Sequence, residues 1–337
     1  MTRNYKLAII IPSWNSSEFV GEMLDGILAQ TFQDWQLFCV DDQSTDNTLD
    51  ILKQYSKQDE RIHYYVRDRE PKGAQTCRNI GFEFTEGAEY VIWFDSDDLI
   101  APHCFEQRVN YMDRHPELDF GVFPAKSFVR NPIDDNGLIY GFPIFKDDLE
   151  AFFTDVLPMV GWTNIYRRQA LLENHHKWDE RVLSKQDSDF NIQSILKGMK
   201  YDYALKENAR IDYLYRAIGG LSKRIYTKEH YDSHCYLVNK VIDSLTDEQK
   251  RTYRFALQTY CLKFAMKIKN SSSHFKIFLT IPFVQSDKWF YYRLLLWRCC
   301  GFRLSYRLFF QKHLESVLYY EQIRDIGINQ YRYSGIL

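Results

Sequence analysis

The sequence predicts an α/β fold: a mostly parallel sheet wrapped by helices on both faces, followed by a helical C-terminal extension. Three observations lead there. Short apolar, β-branched runs alternate with stretches of helical spacing through about residue 200, joined by short connections. Polar and acidic clusters close several of those runs, where strand ends would lie. From about Tyr226 the pattern turns helical, aromatic and basic. With 337 residues the length prior is about two units, read as residues 1–225 and 226–337.

The elements follow in order. Leu7 to Ile11 is a continuous β-branched run, as in a strand buried on both faces. Ser16-Ser17-Glu18 offers cap chemistry, and Phe19, Met23, Leu24, Ile27 and Leu28 follow at helical spacing. Gln36 to Val40 is a second strand closed by Asp41-Asp42, and Thr45 or Asp46 can cap a helix carrying Leu49, Leu52 and Tyr55. Ile62 to Val66 is a third strand, and after a turn at Gly73 a helix carries Ile80, Phe82 and Phe84. Tyr90 to Phe94 is a fourth strand, ending in Asp95-Ser96-Asp97-Asp98. Helices return near Asp148 to Val156 and Asp187 to Lys197, and Tyr201 to Leu205 and Ile211 to Tyr215 read as closing strands.

Composition removes several classes. Apolar residues at 45% and charged residues at 26% belong to a folded chain, which excludes wholesale disorder and collagen-like or coiled-coil repeats. A net charge of −2 gives no global attraction to nucleic acid, so no such partner is expected. Aromatics at 16% are enough to suggest surfaces that stack on rings or meet an interface. The seven cysteines form no CxxC pair, and Cys299-Cys300 are adjacent, so reduced thiols in the cytoplasm are the better reading. The apolar run from Leu7 to Pro12 is too short for a signal core, and no stretch approaches the roughly 18 apolar residues of a membrane span.

Parallel sheets of this kind bind ligands beyond the carboxyl ends of their strands. That rule gathers Pro12 to Asn15, Asp41 to Asp46, Arg67 to Gly73 and Asp95 to Asp98 along one edge. Asp95-Ser96-Asp97 places two carboxylates about one small residue, a hard-oxygen pair suited to Mg²⁺ or Mn²⁺ completed by phosphate and water. Helix capping ahead of Pro102 is the bland alternative. An acid at Asp41-Asp42 can accept from a ribose hydroxyl or a base N–H, and turn chemistry is its alternative. There is no GxGxxG after the first strand and no GxxxxGK[ST], which removes the main support for a nicotinamide or P-loop enzyme.

Four blocks now resemble a known family. They are Ile9-Ile10-Ile11-Pro12-Ser13-Trp14-Asn15, Val40-Asp41-Asp42-Gln43-Ser44-Thr45-Asp46-Asn47-Thr48, Gly73-Ala74 with Arg78-Asn79-Ile80-Gly81, and Phe94-Asp95-Ser96-Asp97-Asp98. In order and spacing they are similar to family 2 glycosyltransferases, inverting enzymes of GT-A fold that use nucleotide-activated sugars. The resemblance is specific over roughly residues 5 to 100, continues more weakly to about Ser222, and does not cover the tail.

The resemblance implies roles. Pro12 and Asn15 would shape the nucleotide pocket, Asp42 would meet a uracil-type base or the ribose, and Asp41 would support it. Arg78 would lie by the diphosphate or the Asp95 region, Asp95 with Ser96 would face the sugar side, and Asp97 would ligate the Mn²⁺ or Mg²⁺ ion. In Gln186-Asp187-Ser188-Asp189 the family's usual Glu-Asp pair becomes Gln186-Asp187, which leaves Asp187 as general base, expected to be exposed and ionised with an ordinary pKa of about 3.9. Trp162 and Asp189 would lie on the acceptor side, and Arg216 with Leu221-Ser222 in a loop over the diphosphate. The bland reading of Asp187 and Asp189 is a helix N-terminus that favours acids. The implied donor is a UDP-sugar and the implied acceptor a saccharide or lipid-linked saccharide of the cell surface.

Two rivals remain at this stage. A sugar-1-phosphate nucleotidyltransferase would need a Gly-rich, basic loop after the first strand, where Pro12-Ser13-Trp14-Asn15 stands. A catalytically silent protein of the same fold would use the tail as its working part. That tail interleaves aromatics with cations from Lys288 to Arg298 and again through Phe302-Arg303 and Tyr306 to Phe310. It reads either as a membrane-surface helix, at the inner face of the membrane, or as a helical subdomain packed on the core.

Overall fold

In the computed structural model, residues 4–129, 135–217, 227–268, 272–300 and 302–333 are described. Eleven strands are seen among them: β1 (Tyr5–Ser13), β2 (Trp35–Asp41), β3 (Ile62–Val66), β4 (Ala88–Trp93), β5 (Leu99–Ile100), β6 (Phe120–Val122), β7 (Ala125–Phe128), β8 (Asp135–Tyr140), β9 (Asn164–Arg167), β10 (Tyr201–Tyr203) and β11 (Tyr213–Arg216). The first helices are α1 (Val20–Leu28), α2 (Thr48–Gln58), α3 (Ala74–Glu83), α4 (Cys104–Arg114), α5 (Asp148–Phe153), α6 (Arg168–Glu173) and α7 (Gln186–Leu196). The extension adds α8 (Lys228–Asp243), α9 (Asp247–Thr252), α10 (Arg254–Ile268), α11 (Ser272–Leu279), α12 (Pro282–Ser286), α13 (Lys288–Cys300) and α14 (Phe302–Tyr333).

The main sheet runs β10-β6-β9-β4-β1-β2-β3. β1 pairs in parallel with β2 and β4, and β2 with β3. β9 runs antiparallel to β4 and β6, so the sheet is mixed but mostly parallel, as expected. The chain leaves β1 outward through β2 and β3, then returns to lay β4 on the other side of β1. That reversal opens a crevice at the carboxyl ends of β1 and β4, where such folds bind ligands. A smaller sheet, β5-β11-β7-β8, stands beyond the end of β4.

Burial explains why β1 reads as unbroken apolar sequence. Leu7, Ile9 and Ile11 join one core with Val20, Met23, Leu24 and Ile27 of α1, while Ala8 and Ile10 face the core on the other side. The second core is continuous from Trp93, Trp178 and Phe190 into Tyr260, Phe290 and Phe310 of the extension. The predicted 225/226 boundary falls at the edge of residues 218–226, outside the described set. The closing-strand reading ran long: Ala204–Glu207 is a 3-10 turn, and only Tyr201–Tyr203 pairs with β6. The cap expected from Ser16 is supplied by its carbonyl, which accepts from Phe19 and Val20 at 2.9 Å, because its hydroxyl is committed elsewhere.

Among the described residues no helix is long and apolar enough to cross a membrane. Cys39, Cys77, Cys104, Cys235 and Cys261 are free and buried.

Candidate functional site

Four of the predicted clusters meet at the carboxyl edge of the main sheet. After β1 the chain turns at Asn15, whose φ of 48° lies in the left-handed region that Asn tolerates best among non-glycine residues. That turn lets the Asn15 Oδ1 accept the Thr45 N–H at 2.8 Å while the Asn15 N–H donates to Ser44 Oγ at 2.8 Å. Pro12 is buried one residue before the end of β1, opposite Val40. Asp41 is fully buried and accepts from Ser44 N–H at 2.7 Å and from Ser13 Oγ at 3.2 Å. Its carboxylate therefore ties the first two strand ends together, and the turn alternative holds for this residue.

Asp42 points the other way, into an ion pair with Arg67 at the end of β3. Arg67 is buried, and its Nη1 also holds the Arg69 carbonyl at 2.6 Å. The acid expected to meet a base or ribose thus already has a protein partner.

Asp95-Ser96-Asp97-Asp98 does not cap a helix. The next element is the short strand β5, and α4 begins only at Cys104 without a side-chain cap. Ser96 shares a hydrogen bond of 2.7 Å with Ser16, which stitches the ends of β4 and β1 across the crevice. Asp98 is wholly buried, accepting from the Tyr213 hydroxyl at 2.5 Å and the Arg216 N–H at 2.6 Å. It anchors β11, a role the sequence reading did not assign. Asp97 is half-buried, and burial together with the charge of Asp95 pushes its carboxyl up to about 6.

Arg216 reaches this strand end, but not as a free cation. Its Nε donates to the Asp97 carbonyl at 2.7 Å, its Nη2 pairs with Glu22, and its guanidinium lies over the rings of Phe19 and Phe128. It shapes the backbone that presents Asp97. Leu221-Ser222, expected in the same loop, lies outside the described residues.

Arg78 joins the end of β4 to the start of α7. The residue is buried in α3, donates from Nη2 to Asp95 at 2.7 Å and from Nη1 to Gln186 Oε1 at 2.9 Å, and stacks over Trp178 at 4.4 Å. Gln186 donates in turn to Gln75 Oε1 at 2.8 Å. An amide can accept from the arginine and donate to Gln75 at once, which an ionised glutamate cannot. The replacement of the usual Glu thus has a local physical reason.

Asp187 follows Gln186 in the first turn of α7 and accepts the Gly161 N–H at 2.9 Å. The expectation of an exposed, ordinary carboxylate is corrected: the residue is half-buried, and burial and Asp95 raise its pKa while Arg78 opposes them. Gly161 permits the approach, since a Cβ there would stand 2.7 Å from Asp187 Oδ1 and 2.8 Å from the Trp178 ring. Trp162, the next residue, is buried in a stack with Tyr213 at 4.7 Å and Tyr215 at 5.5 Å, and Tyr140 meets its edge at 5.2 Å.

Asp189 is a second correction. Expected on the acceptor side, it is buried and pairs with Lys240 of α8 at 2.6 Å. Two residues along a helix turn a side chain by about 200°, so Asp187 and Asp189 cannot share a face. Asp189 fastens the extension to α7 instead.

The sequence reading also missed the support beneath the site. Arg108 and Asp212, both fully buried, form a bidentate pair at 2.9 and 2.7 Å, and Arg108 Nη1 holds the Trp162 carbonyl at 2.9 Å. The partners lie far apart in the chain, and no local spacing signals them.

Comparisons with known proteins agree with this fold. The sequence model of glycosyl transferase family 2 matches residues 8–175, about half of the chain. A poly(ribitol-phosphate) beta-glucosyltransferase of Bacillus spizizenii is 28% identical over 215 residues, covering 62% of this chain and 32% of that longer protein. The crystal structure of S. aureus TarS 1-349 in complex with UDP-GlcNAc superposes with a TM-score of 0.61 at 18% identity, covering 98% of this chain and 92% of that one. A mannosyltransferase from Pyrobaculum calidifontis, in complex with GDP-Man and Mn²⁺, gives 0.53 at 16% identity, covering 98% and 87%. The fold likeness thus includes the extension, beyond the reach of the sequence blocks. With the strand-end blocks assembled on a sheet of this topology, the chain belongs to family 2 of the glycosyltransferases, with a GT-A-like fold.

Proposed function

We propose that this chain transfers a sugar, with inversion, from a UDP-sugar to a hydroxyl of a cell-surface polysaccharide or its lipid-linked precursor. The observation that carries the reading is the shared arginine: Arg78 bridges Asp95 on the donor side to Gln186, beside Asp187 on the acceptor side. In a single displacement the attacking hydroxyl and the leaving diphosphate stand on opposite faces of the sugar ring. Asp187 takes the proton from the attacking hydroxyl, and the Gly161 N–H holds its carboxylate in place. Arg78 keeps Asp95 oriented toward the donor, and Arg216 holds the Asp97 backbone.

Asp97, with Asp95 beside it, would hold Mn²⁺ or Mg²⁺, which would neutralise charge developing on the leaving diphosphate. The donor set fits: both ligands are hard carboxylate oxygens, and a cation would relieve the penalty that raises Asp97. Among the described residues no three His, Cys, Asp or Glu side chains cluster for a metal, so phosphate and water would complete the shell. A nucleotidyltransferase is disfavoured by Pro12-Ser13-Trp14-Asn15, which offers no Gly-rich basic loop.

The Bacillus relative is a poly(ribitol-phosphate) beta-glucosyltransferase, which supports a phosphodiester-linked polymer as the acceptor class. Contact with the inner membrane face would use α13. Trp289 is 82% exposed, and Tyr292 and Leu296 share its face, with Lys288 and Arg293 at either side. That arc suits an anionic lipid surface. Trp289→Ala with Leu296→Ser should then reduce sedimentation with phosphatidylglycerol vesicles.

The central test is a thermal-shift and transfer panel of nucleotide sugars with and without Mn²⁺. UDP-sugars should stabilise the chain more with the metal, and Asp187→Asn and Asp97→Asn should each lose transfer. Equal activity in all three proteins would remove the site assignment.

A further inference from the structure

We propose that the cleft running along α7 is an anion subsite that holds a phosphate of a phosphodiester-linked acceptor. Its place in the reaction rests on the transferase reading above, but its charge chemistry does not. The cleft encloses about 540 Å³. Five cations line it, Arg69, Lys177, Arg181, Lys197 and Lys240, against two acids, Asp179 and Glu180.

The two acids are already spent. Glu180 takes both terminal nitrogens of Arg69 at 2.8 Å. Asp179 is shared by Arg181 and Lys240, each at 3.0 Å, and Lys240 also reaches Asp189. Lys177 and Lys197 therefore remain in excess over the lining carboxylates. Lys197 is held in position because its Nζ donates to the carbonyls of Asn174 at 2.8 Å and His175 at 3.1 Å. Two groups register the resulting positive field. The Lys197 ammonium is pushed below its ordinary value by burial and then by Lys240, and His176, also in the lining, is held down to about 3 by burial, Lys197 and Lys240. A phosphate in the cleft would relieve that repulsion and gain charge-assisted hydrogen bonds.

Position links the cleft to the chemistry. Trp178 lines it and also carries the Arg78 guanidinium on its ring at 4.4 Å. Arg69 belongs to the loop after β3 on the ligand edge, while Gln193 and Lys197 lie toward the far end of α7. That helix spans 11 residues, about 16 Å of rise. Gln193 stands one turn beyond Asp189, so the cleft follows the Asp189 flank of α7, and Trp178 is the side chain between it and Asp187. A polymer whose hydroxyl reaches Asp187 would cross Trp178 to lay a neighbouring phosphate there. A neutral saccharide would gain nothing from the excess lysines.

The experiment is calorimetric binding of a short ribitol-phosphate oligomer and of a neutral oligosaccharide of equal length to the full chain, at low and physiological salt. Lys177→Glu and Lys197→Met are compared with wild type, the first at an exposed position with little bearing on folding. Each should weaken the phosphate oligomer about tenfold and flatten its salt dependence, leaving UDP binding and the neutral oligosaccharide unchanged. Equal affinity for the phosphate oligomer in all three proteins would overturn the subsite. Weakening on phosphatidylglycerol vesicles but not on the oligomer would overturn it as an acceptor site. If the variants lose the oligomer while no nucleotide sugar supports transfer in wild type, the cleft stands and the transferase reading falls.

Discussion

Arg78 Nη2 lies 2.7 Å from Asp95 Oδ1, an ion pair in which the arginine is almost wholly buried and the aspartate keeps 28% of its side chain exposed. The same guanidinium holds Gln186 at 2.9 Å, so one planar group fixes both Asp95 and the residue beside the proposed base. A lysine could satisfy one partner as a point charge but not both in this fork geometry. Arg78→Lys should therefore lower kcat roughly 10²-fold while the folded state survives, because a displacement of about 1 Å at a reacting centre costs that much. Steady-state kinetics beside a melting curve would check it. Unchanged kcat would show that the bridge is structural only.

Gly161 and Asp187 give a second, independent test. A methyl group at position 161 would meet both the Asp187 carboxylate and the Trp178 ring below 3 Å, so Gly161→Ala must move one of them. Transfer should fall on the order of 10²-fold with little change in donor affinity, since the displaced group is the proposed base for the acceptor hydroxyl. The pH profile follows from the same carboxylate. Burial and Asp95 raise its pKa, and a base works only when ionised, so activity should climb through a midpoint above the usual value of about 3.9 and be lost below it. A profile still flat down to pH 4 would show that Asp187 is not the base.

The four polar clusters were legible because each sits where an apolar run stops, and parallel topology carries every such stop to one edge. What could not be read was direction. Asp42 and Asp189 stand in acidic pairs with plausible ligands ahead of them, yet turn to Arg67 and Lys240, both distant in sequence. Arg216, expected in a loop over the diphosphate, closes β11 and is already paired with Glu22 and the Asp97 carbonyl. Local pattern fixes where a side chain starts, whereas its partner depends on packing that brings remote segments together. The raised pKa of Asp187 belongs to the same class, since the charges of Asp95 and Arg78 that act on it, and the Gly161 N–H that it accepts, come from segments distant in sequence from α7.

The Arg108–Asp212 pair should be the most sensitive electrostatic support in the fold. Both groups are fully buried, and Arg108 also holds the carbonyl of Trp162. Arg108→Met would leave the Asp212 carboxylate unpaired in the core, at a cost of about 3–5 kcal/mol. Replacing both, with Arg108→Met and Asp212→Leu, should cost much less, because neither charge is then stranded. Denaturant unfolding of the two variants decides between this and a pair of little consequence. Equal destabilisation by the single and double variants would contradict the account.

His176 adds a pH dependence of stability that a comparison of wild type with a His176 variant isolates from the carboxylates. Its Nε2 is 2.8 Å from Ser194 Oγ, its ring packs on Phe190 at 4.1 Å, and burial holds its pKa near 3. An unfolded chain protonates this histidine near 6.5. Between those values the unfolded state binds a proton that the native state refuses, so the contribution of this group to stability must rise with pH. The depressed carboxylates Asp179 and Glu180 are ionised in both states above about pH 5. Asp97, raised to about 6, takes up protons in the native state across about pH 5 to 6.5 and opposes the histidine slope, so the imidazole contribution is read as the difference between wild type and variant. There one such histidine contributes at most about 1.4 kcal/mol per pH unit. His313, buried in the extension and lowered to about 4, adds a similar slope in the same direction. His176→Phe should reduce the slope by up to that single-group amount, and His176→Phe with His313→Phe should reduce it further, whatever either change does to absolute stability. Because the slope counts protons rather than contacts, an unaltered slope in the double variant would mean that neither imidazole is held neutral by the fold.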